Sequence, residues 1–205
     1  RPAEALVIDL DGVIRHWLPD ALPAIDRRFG LPPGTAAAAL FEPELLGQAM
    51  TGRVAVDEWC ALVGEAVAAG ADHPVDAAAV AEAMSETPFE VDGEMVALVD
   101  EVRVEASVAL LSNASTRLVE DLAVAGLADH FDAIVGSADI GVAKPDAEAY
   151  RAAAQRLGVA PEACLFVDDR AENVEGARAV GMQAHLFAGI DDLRPVLVGT
   201  GLLPS

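Results

Sequence analysis

Short apolar runs alternate with helical patterns along most of the chain, and this alternation limits the fold more than any other feature of the sequence. The runs are rich in Val, Ile, Leu and Ala, which is typical of strands that are buried on both faces of a parallel sheet. Helical segments of about ten residues between such strands indicate right-handed βαβ units, with helices on both faces of the sheet. The predicted strands are 5–10, 108–111, 133–136, 163–167 and 183–187, and the predicted helices among them are 94–105, 116–125, 146–157 and 171–180.

Residues 15–90 interrupt this alternation, because they are Ala-rich and mostly helical in pattern, with little strand signal. Apolar residues recur at helical spacing in 19–29, 57–69 and 76–84. Pro88 and Gly93 indicate a return linker at 87–93. We therefore predict a small helical unit, residues 15–90, inserted after the first strand of a core formed by residues 1–14 and 91–205.

The formal net charge of −21 makes nucleic acids and anionic membrane surfaces poor partners. A site for a phosphate group would need local help from a metal ion, a lysine or helix N-termini. Lysine occurs once, as Lys144, and the two cysteines, Cys60 and Cys164, are far apart and form no disulfide framework. Because the sequence has neither an apolar run of ~20 residues nor a signal-peptide pattern, we expect a cytoplasmic chain.

Four polar clusters lie at the carboxyl ends of predicted strands or just beyond them, where α/β sheets usually bind ligands. Each cluster alone has a simpler explanation as a helix cap, a turn or a solvated charge. Together they would bring carboxylates, an ammonium, a hydroxyl and an amide into one crevice, and carboxylates without His or Cys suit Mg²⁺. The clusters are residues 9–12, 112–115 and 144–146, and the pair Asp168 and Asp169 with Asn173.

Asp9 and Asp11 stand two positions apart at the end of the first predicted strand. Residues at this spacing in a strand face the same way. Two carboxylates that approach each other need a proton or a cation between them. A solvated Asp-Gly turn explains the same residues equally well.

The motifs and their order resemble the haloacid dehalogenase-like hydrolases. These motifs are Asp-x-Asp-Gly-x-Ile, strand-Ser-Asn, Lys-Pro-Asp and strand-Asp-Asp-x-x-x-Asn. The stretches "TGRVAVDEW" and "RAENVEGARAVGM" are similar to the glucose-1-phosphate phosphatase and epoxide hydrolase N-terminal phosphatase branch. The resemblance, from residue 5 to about residue 187, implies an α/β fold with a Rossmann-like parallel sheet and a small α-helical cap. It also implies Mg²⁺-dependent hydrolysis of a phosphomonoester through an aspartyl-phosphate.

The resemblance implies a role for three catalytic residues. Asp9 would be the nucleophile that attacks phosphorus. Asp11 would protonate the leaving alcohol and then activate the hydrolytic water. Lys144 would screen the negative charge between the nucleophile and the phosphate.

The same resemblance implies the binding residues. Ser112 and the backbone N–H of Asn113 would hold the phosphoryl oxygens. The expected Mg²⁺ ligands are Asp9, Asp169 and the carbonyl oxygen of Asp11, with Asp168 and Asn173 behind them, orienting Lys144 and the metal-bound waters.

Two other functions remain open. A 2-haloacid dehalogenase uses the same aspartate nucleophile but typically lacks the second aspartate, and a phospho-acceptor receiver domain lacks a helical insertion of this size. A catalytically inactive binding module is disfavoured because no motif position is lost. The expected substrate is a small phosphorylated metabolite, with a sugar phosphate as the first expectation on resemblance alone. Candidate substrate contacts are Arg15, His16, Trp17 and Arg53.

Overall fold

A computed structural model describes residues 2–204. Its strands are β1 (Ala5–Ile8), β2 (Arg15–Trp17), β3 (Phe89–Val91), β4 (Ser107–Ser112), β5 (Ala133–Gly136), β6 (Cys164–Asp168) and β7 (Gln183–Leu186). Five of them form a parallel sheet in the order β5-β4-β1-β6-β7, so that β1 is central and pairs with β4 and β6. All five parallel strands lie within one or two residues of the predicted runs.

The helices surround this sheet and fill the segment between β2 and β3. They are α1 (Ala21–Phe29), α2 (Thr35–Leu40), α3 (Pro43–Met50), α4 (Val56–Gly70), α5 (Ala77–Ser85), α6 (Gly93–Glu105), α7 (Leu118–Val124), α8 (Ser137–Ile140), α9 (Ala147–Leu157), α10 (Ala171–Ala179) and α11 (Ile190–Thr200).

Both faces of the sheet are covered, as the apolar strands require. Ala5 and Val7 of β1 belong to a buried cluster that includes Tyr150 of α9 and residues of α10. Leu6 and Ile8, which point the other way, belong to a second cluster with α6, α7 and α11. Two buried faces explain why these strands are continuously apolar rather than alternating.

The inserted helices have a core of their own. Ile25 of α1, Val63 and Val67 of α4, and Val80 of α5 pack in a third cluster, distinct from the two beside the sheet. The fold class predicted from the sequence, a Rossmann-like sheet with an α-helical cap after the first strand, is confirmed. The division into residues 1–14 and 91–205 and residues 15–90 stays a prediction.

The predicted linker at 87–93 differs from the structure. It contains β3, which pairs antiparallel with β2, so that Arg15 lies opposite Val91 and Trp17 lies opposite Phe89. Strands of three residues are too short to show a reliable alternation pattern. Helices α2, α3, α8 and α11 were also not predicted, and α11 contains Pro195, which normally argues against a helix interior.

No helix within residues 2–204 has the length and apolarity needed to cross a lipid bilayer.

Candidate active site

Three strands carry the predicted site residues to one edge of the sheet. Asp9 directly follows β1, while Ser112 and Asp168 are the last residues of β4 and β6. Ile8 pairs with Leu110 on one side and with Val167 on the other, so these three ends are level with one another. The parallel topology therefore makes a crevice at the carboxyl end of the sheet.

Lys144 links two of these carboxylates. Its Nζ lies 2.7 Å from Oδ1 of Asp9 and 2.6 Å from Oδ2 of Asp168, and its side chain is only 1% exposed. A buried ammonium is tolerated only where opposite charges and hydrogen bonds compensate its lost hydration. The single lysine of the sequence is thus fixed between the two aspartates.

Asp168 is fully buried and accepts hydrogen bonds on both oxygens. Besides Lys144, it accepts from Nδ2 of Asn173 at 3.0 Å and from the backbone N–H of Arg170 at 2.8 Å. The backbone carbonyl of Asn173 in turn accepts from the Tyr150 hydroxyl at 2.8 Å. This network holds Lys144 in place, and the role of Asp168 and Asn173 in orienting Lys144 and metal-bound waters during a reaction stays a prediction.

Asp9, Asp168 and Asp169 form the group that could hold a metal ion, with one oxygen from each within 4.8 Å of the others. The pKa of the Asp9 carboxyl is raised to about 7. Burial is the largest cause, the charge of Asp168 adds to it, and the ammonium of Lys144 opposes it. Burial and the nearby Asp168 also raise the pKa of Asp169. A cation among these oxygens would favour their ionised forms. An all-oxygen donor set fits Mg²⁺ better than a softer metal.

Gly12 is required by the close approach of Asp169. A Cβ on Gly12 would lie 2.2 Å from Oδ2 of Asp169, and the backbone has φ of +88°. Both facts exclude a larger residue without a shift of the carboxylate. From the sequence alone Gly12 is only a turn-forming residue, because the contact is with a residue far along the chain.

The Asp11 carboxylate lies outside the group of three. It accepts from Nε and Nη2 of Arg15 at 2.7 and 2.9 Å and from Nε1 of Trp17 at 2.9 Å. The Arg15 guanidinium carbon lies 4.6 Å from the ring centroid of Trp17 and 5.4 Å from that of Phe89, and the two rings also contact each other edge to face. Arg15 and Trp17 therefore contact a predicted catalytic residue directly. The expected metal contact of Asp11 is through its backbone carbonyl and stays a prediction.

Ser112 and Asn113 differ in what they contact. The Ser112 hydroxyl is buried and has no hydrogen-bond partner within residues 2–204. The Asn113 side chain accepts from the backbone N–H of Lys144 at 2.8 Å and donates to its carbonyl at 2.9 Å. Ser137, which was not predicted, accepts from the backbone N–H of Ala114 at 3.0 Å and so fixes the same loop. These contacts leave the Ser112 hydroxyl available to a ligand and commit the Asn113 amide to positioning Lys144.

A cavity of about 740 Å³ connects this crevice with the inserted helices. Asp9, Asp11, Ser112, Asn113, Lys144 and Asn173 line it from the sheet side. Of the four candidate substrate contacts, Arg15 and Trp17 line the cavity, whereas His16 and Arg53 are exposed and do not.

The sequence of this chain is similar to the sequences of several known phosphatases. The chain is 29% identical to a phosphoglycolate phosphatase of Pseudomonas putida, over 93% of this chain and 72% of that protein. It is 52% identical to a phosphatase of Mycobacterium tuberculosis over 65 residues, which are 32% of this chain and 30% of that protein. The matched part is about a third of the length of several such curated relatives.

Solved structures share the fold over the whole chain. A HAD family enzyme from Bacteroides thetaiotaomicron superimposes with a TM-score of 0.78 at 19% identity, covering 96% of this chain and 99% of that one. The same enzyme was crystallised with magnesium and inorganic phosphate. In addition, the family model of the haloacid dehalogenase-like hydrolases matches residues 3–181. Because that match spans most of the sequence, this chain belongs to the haloacid dehalogenase-like hydrolase family.

Proposed function

We propose that this chain is a Mg²⁺-dependent phosphomonoester hydrolase that works through an aspartyl-phosphate. The observation that carries the proposal is the buried Asp9–Lys144–Asp168 arrangement beside the unpartnered Ser112 hydroxyl. An anionic nucleophile can approach an anionic phosphate only where positive charge and hydrogen-bond donors compensate the repulsion. The phosphatases among the relatives support this choice of reaction.

In the proposed first step, an Asp9 oxygen forms a bond to phosphorus while the bond between phosphorus and the leaving oxygen breaks. Ser112 and the backbone N–H of Asn113 donate to the phosphoryl oxygens, and Lys144 stays between Asp9 and the transferred group. Asp11 gives its proton to the leaving alcohol. In the second step Asp11 takes a proton from water, which attacks phosphorus and releases Asp9.

The Asp11 carboxylate would have to change partners during this cycle. In the structure both of its oxygens accept hydrogen bonds from Arg15 or Trp17. We propose that an entering substrate frees one oxygen for the leaving group. Arg15 and Trp17 lie on β2, which pairs with β3, and the inserted helices lie between these two strands. The change of partners at Asp11 would therefore link proton transfer to the position of β2.

Asp9, Asp169 and the carbonyl oxygen of Asp11 would hold the Mg²⁺ ion, with Asp168 close behind. When bound, the ion would neutralise charge on the nucleophile and the phosphoryl oxygens. We further propose that residues 15–90 act as a cap over a core formed by residues 1–14 and 91–205, since the cavity is lined from both parts.

Hydrolysis of p-nitrophenyl phosphate tests this function. We expect release of nitrophenolate with Mg²⁺, none with excess chelator, and none from Asp9→Asn. The exposed Asp57→Asn variant is the matched control and should keep the parental rate. Full activity in chelator, or halide release from 2-haloacids, would favour the dehalogenase alternative. Stable phosphorylation without turnover would favour a receiver-like role.

A further inference from the structure

The cavity has two chemically different ends. The sheet end carries the charged and polar groups of the candidate active site. The cap end is formed by α1 to α5 and the segments that join them, and its lining is mainly aliphatic or aromatic. Representative residues of this end are Leu18, Leu22, Leu40, Leu46, Met50 and Val63.

Hydroxyl groups at the cap end are already engaged. The Ser85 hydroxyl donates to the carbonyl of Glu82 at 2.8 Å, and the Thr87 hydroxyl donates to the carbonyl of Met84 at 2.6 Å. The indole N–H of Trp59 is a further polar group of this lining and, like the Ser112 hydroxyl, is buried without a partner within residues 2–204. The cap end therefore offers few accessible polar groups to a ligand.

The guanidinium groups that line the cavity are each paired with a carboxylate. Arg15 pairs with Asp11, Arg117 with Asp121 at 2.9 Å, and Arg170 with Glu172 at 2.6 Å. A second anionic group on a substrate would have to compete with these carboxylates in a chain of net charge −21. A substrate that carries a carboxylate besides its phosphate is therefore disfavoured.

Leu46 and Met50 expose apolar surface to the cavity without belonging to the buried cluster of the cap. Phe41, which also lines the cavity, is 58% exposed. Sugar hydroxyls placed against Leu46 and Met50, which are less exposed than Phe41, would lose hydrogen bonds to water without replacement, which is unfavourable. Methylene groups in the same place would gain from leaving water.

We propose that the substrate is a phosphomonoester of an uncharged, largely apolar alcohol whose carbon skeleton occupies the cap end of the cavity. This inference rests on the proposed phosphatase function and replaces the expectation of a sugar phosphate. The volume of about 740 Å³ suits a small-molecule ligand of ordinary size. The apolar lining, Asp9 and Ser112 belong to one cavity. The part of the substrate that lies against the apolar lining is therefore the leaving alcohol.

Ethyl, butyl and hexyl phosphate test the inference, because they share a primary alkyl leaving group and differ only in apolar length. We expect kcat/KM with Mg²⁺ to rise by up to about fourfold for each added methylene, the size of the transfer effect. Glucose 6-phosphate should be a poorer substrate than hexyl phosphate, and phosphoglycolate poorer still.

Two leucine variants test whether the cavity lining causes the dependence of kcat/KM on alkyl length. Leu46→Gln places an amide in the lining, whereas Leu62→Gln changes a residue of α4 that is 36% exposed and outside the lining. The ratio of kcat/KM for hexyl over ethyl phosphate should fall about tenfold in Leu46→Gln and stay parental in Leu62→Gln. Met50→Gln provides a second cavity variant, and thermal melts of each variant establish that it is folded.

Three results would overturn the inference. A flat alkyl series, or a preference for glucose 6-phosphate or phosphoglycolate, would reject the apolar leaving group and leave the Mg²⁺-dependent phosphatase intact. No hydrolysis of any ester with Mg²⁺ would reject both proposals. Sedimentation of the parent as a dimer that Leu46→Gln dissociates would assign the apolar surface to a contact between copies of the chain.

Discussion

At the scale of single residues, the candidate site depends on one ammonium held between two buried carboxylates. The sequence singled out Lys144, Asp9 and Asp168 because they belong to polar clusters at or beyond the carboxyl ends of predicted strands, and parallel strands end at one edge. It could not assign the partners of Asp11, because Arg15 and Trp17 lie on β2, a short strand that was not predicted. The contact between the Asn113 amide and the Lys144 backbone was equally hidden, since 31 positions separate the two residues.

Lys144→Arg should lower the rate of phosphomonoester hydrolysis by at least about tenfold while the chain stays folded. Arginine keeps the charge, but its planar guanidinium cannot take the place of a compact ammonium between Asp9 and Asp168. A displacement of ~1 Å at a reacting centre is costly in rate. Steady-state hydrolysis of p-nitrophenyl phosphate, with a thermal melt beside it, checks this. Parental activity would show that the ammonium geometry is irrelevant to the reaction.

Asp11→Asn should slow hydrolysis of an alkyl phosphate by ~10²–10⁴ in the first step and affect p-nitrophenyl phosphate much less. Nitrophenolate leaves without a proton, whereas an alkoxide needs a general acid. The aryl substrate should then give a burst of nitrophenolate and a phosphorylated protein, because Asp11 is also the proposed base of the second step.

Rapid-mixing kinetics and mass spectrometry of the quenched Asp11→Asn protein provide the measurements. Arg15→Gln is the matched control, since it breaks the same ion pair but keeps the carboxylate. Equal first-step losses on both substrates, with no phosphorylated protein, would assign Asp11 a structural role.

At the scale of elements, the longer apolar strands and helices were predictable and the short or irregular elements were not. The three inner strands of the sheet, β4, β1 and β6, are apolar runs buried along almost their whole length, which leaves a clear signal. By contrast, β2 and β3 have three residues each, and α2 lies in an Ala-rich stretch beside two prolines and two glycines. Tertiary contacts, rather than local preference, define these elements.

Asp26 shows how such a contact stabilises an unpredicted helix. Although it lies on α1, its buried carboxylate accepts from the backbone N–H groups of Gly34 at 2.6 Å and Ala36 at 2.8 Å. Those groups belong to the first turn of α2, where N–H donors lack partners within the helix. The carboxylate therefore caps α2 from a neighbouring helix.

Asp26→Ala should lower the free energy of unfolding by about 1–3 kcal/mol, because it leaves buried backbone donors without an acceptor. Asp20→Ala is the matched control, since Asp20 forms an exposed ion pair with Arg27 and should leave stability near the parental value. Urea denaturation followed by circular dichroism measures both. Equal free energies of unfolding for the two variants would show that the hydrogen bonds from the α2 backbone to Asp26 do not stabilise the fold.

At the scale of the whole molecule, negative charge is concentrated where the proposed metal ion would bind. Asp9, Asp168 and Asp169 converge in a chain that already carries a net charge of −21. The single positive charge of Lys144 does not neutralise these three carboxylates. A cation that binds only the folded chain would therefore stabilise it.

Mg²⁺ at 100 times its dissociation constant should stabilise the fold by about 2.7 kcal/mol and raise Tm by several degrees. NaCl at equal ionic strength controls for general screening. The Asp169→Asn variant should lose most of the Mg²⁺-dependent shift, whereas the exposed Asp191→Asn variant should retain it. Differential scanning calorimetry measures Tm, and equal shifts in the two variants would place the ion elsewhere.

The burial of Lys144 also has a practical consequence for chemical labelling. It is the single lysine of the sequence, and its side chain is 1% exposed. Acylating reagents therefore have one side-chain amine to modify, and it lies inside the crevice rather than on the surface. The rate at which that amine gains a label would report how often it is both accessible to the reagent and unprotonated, since it is ion-paired with Asp9 and Asp168. Counting labels by intact-mass measurement would thus follow the exposure of the Lys144 amine without an introduced probe.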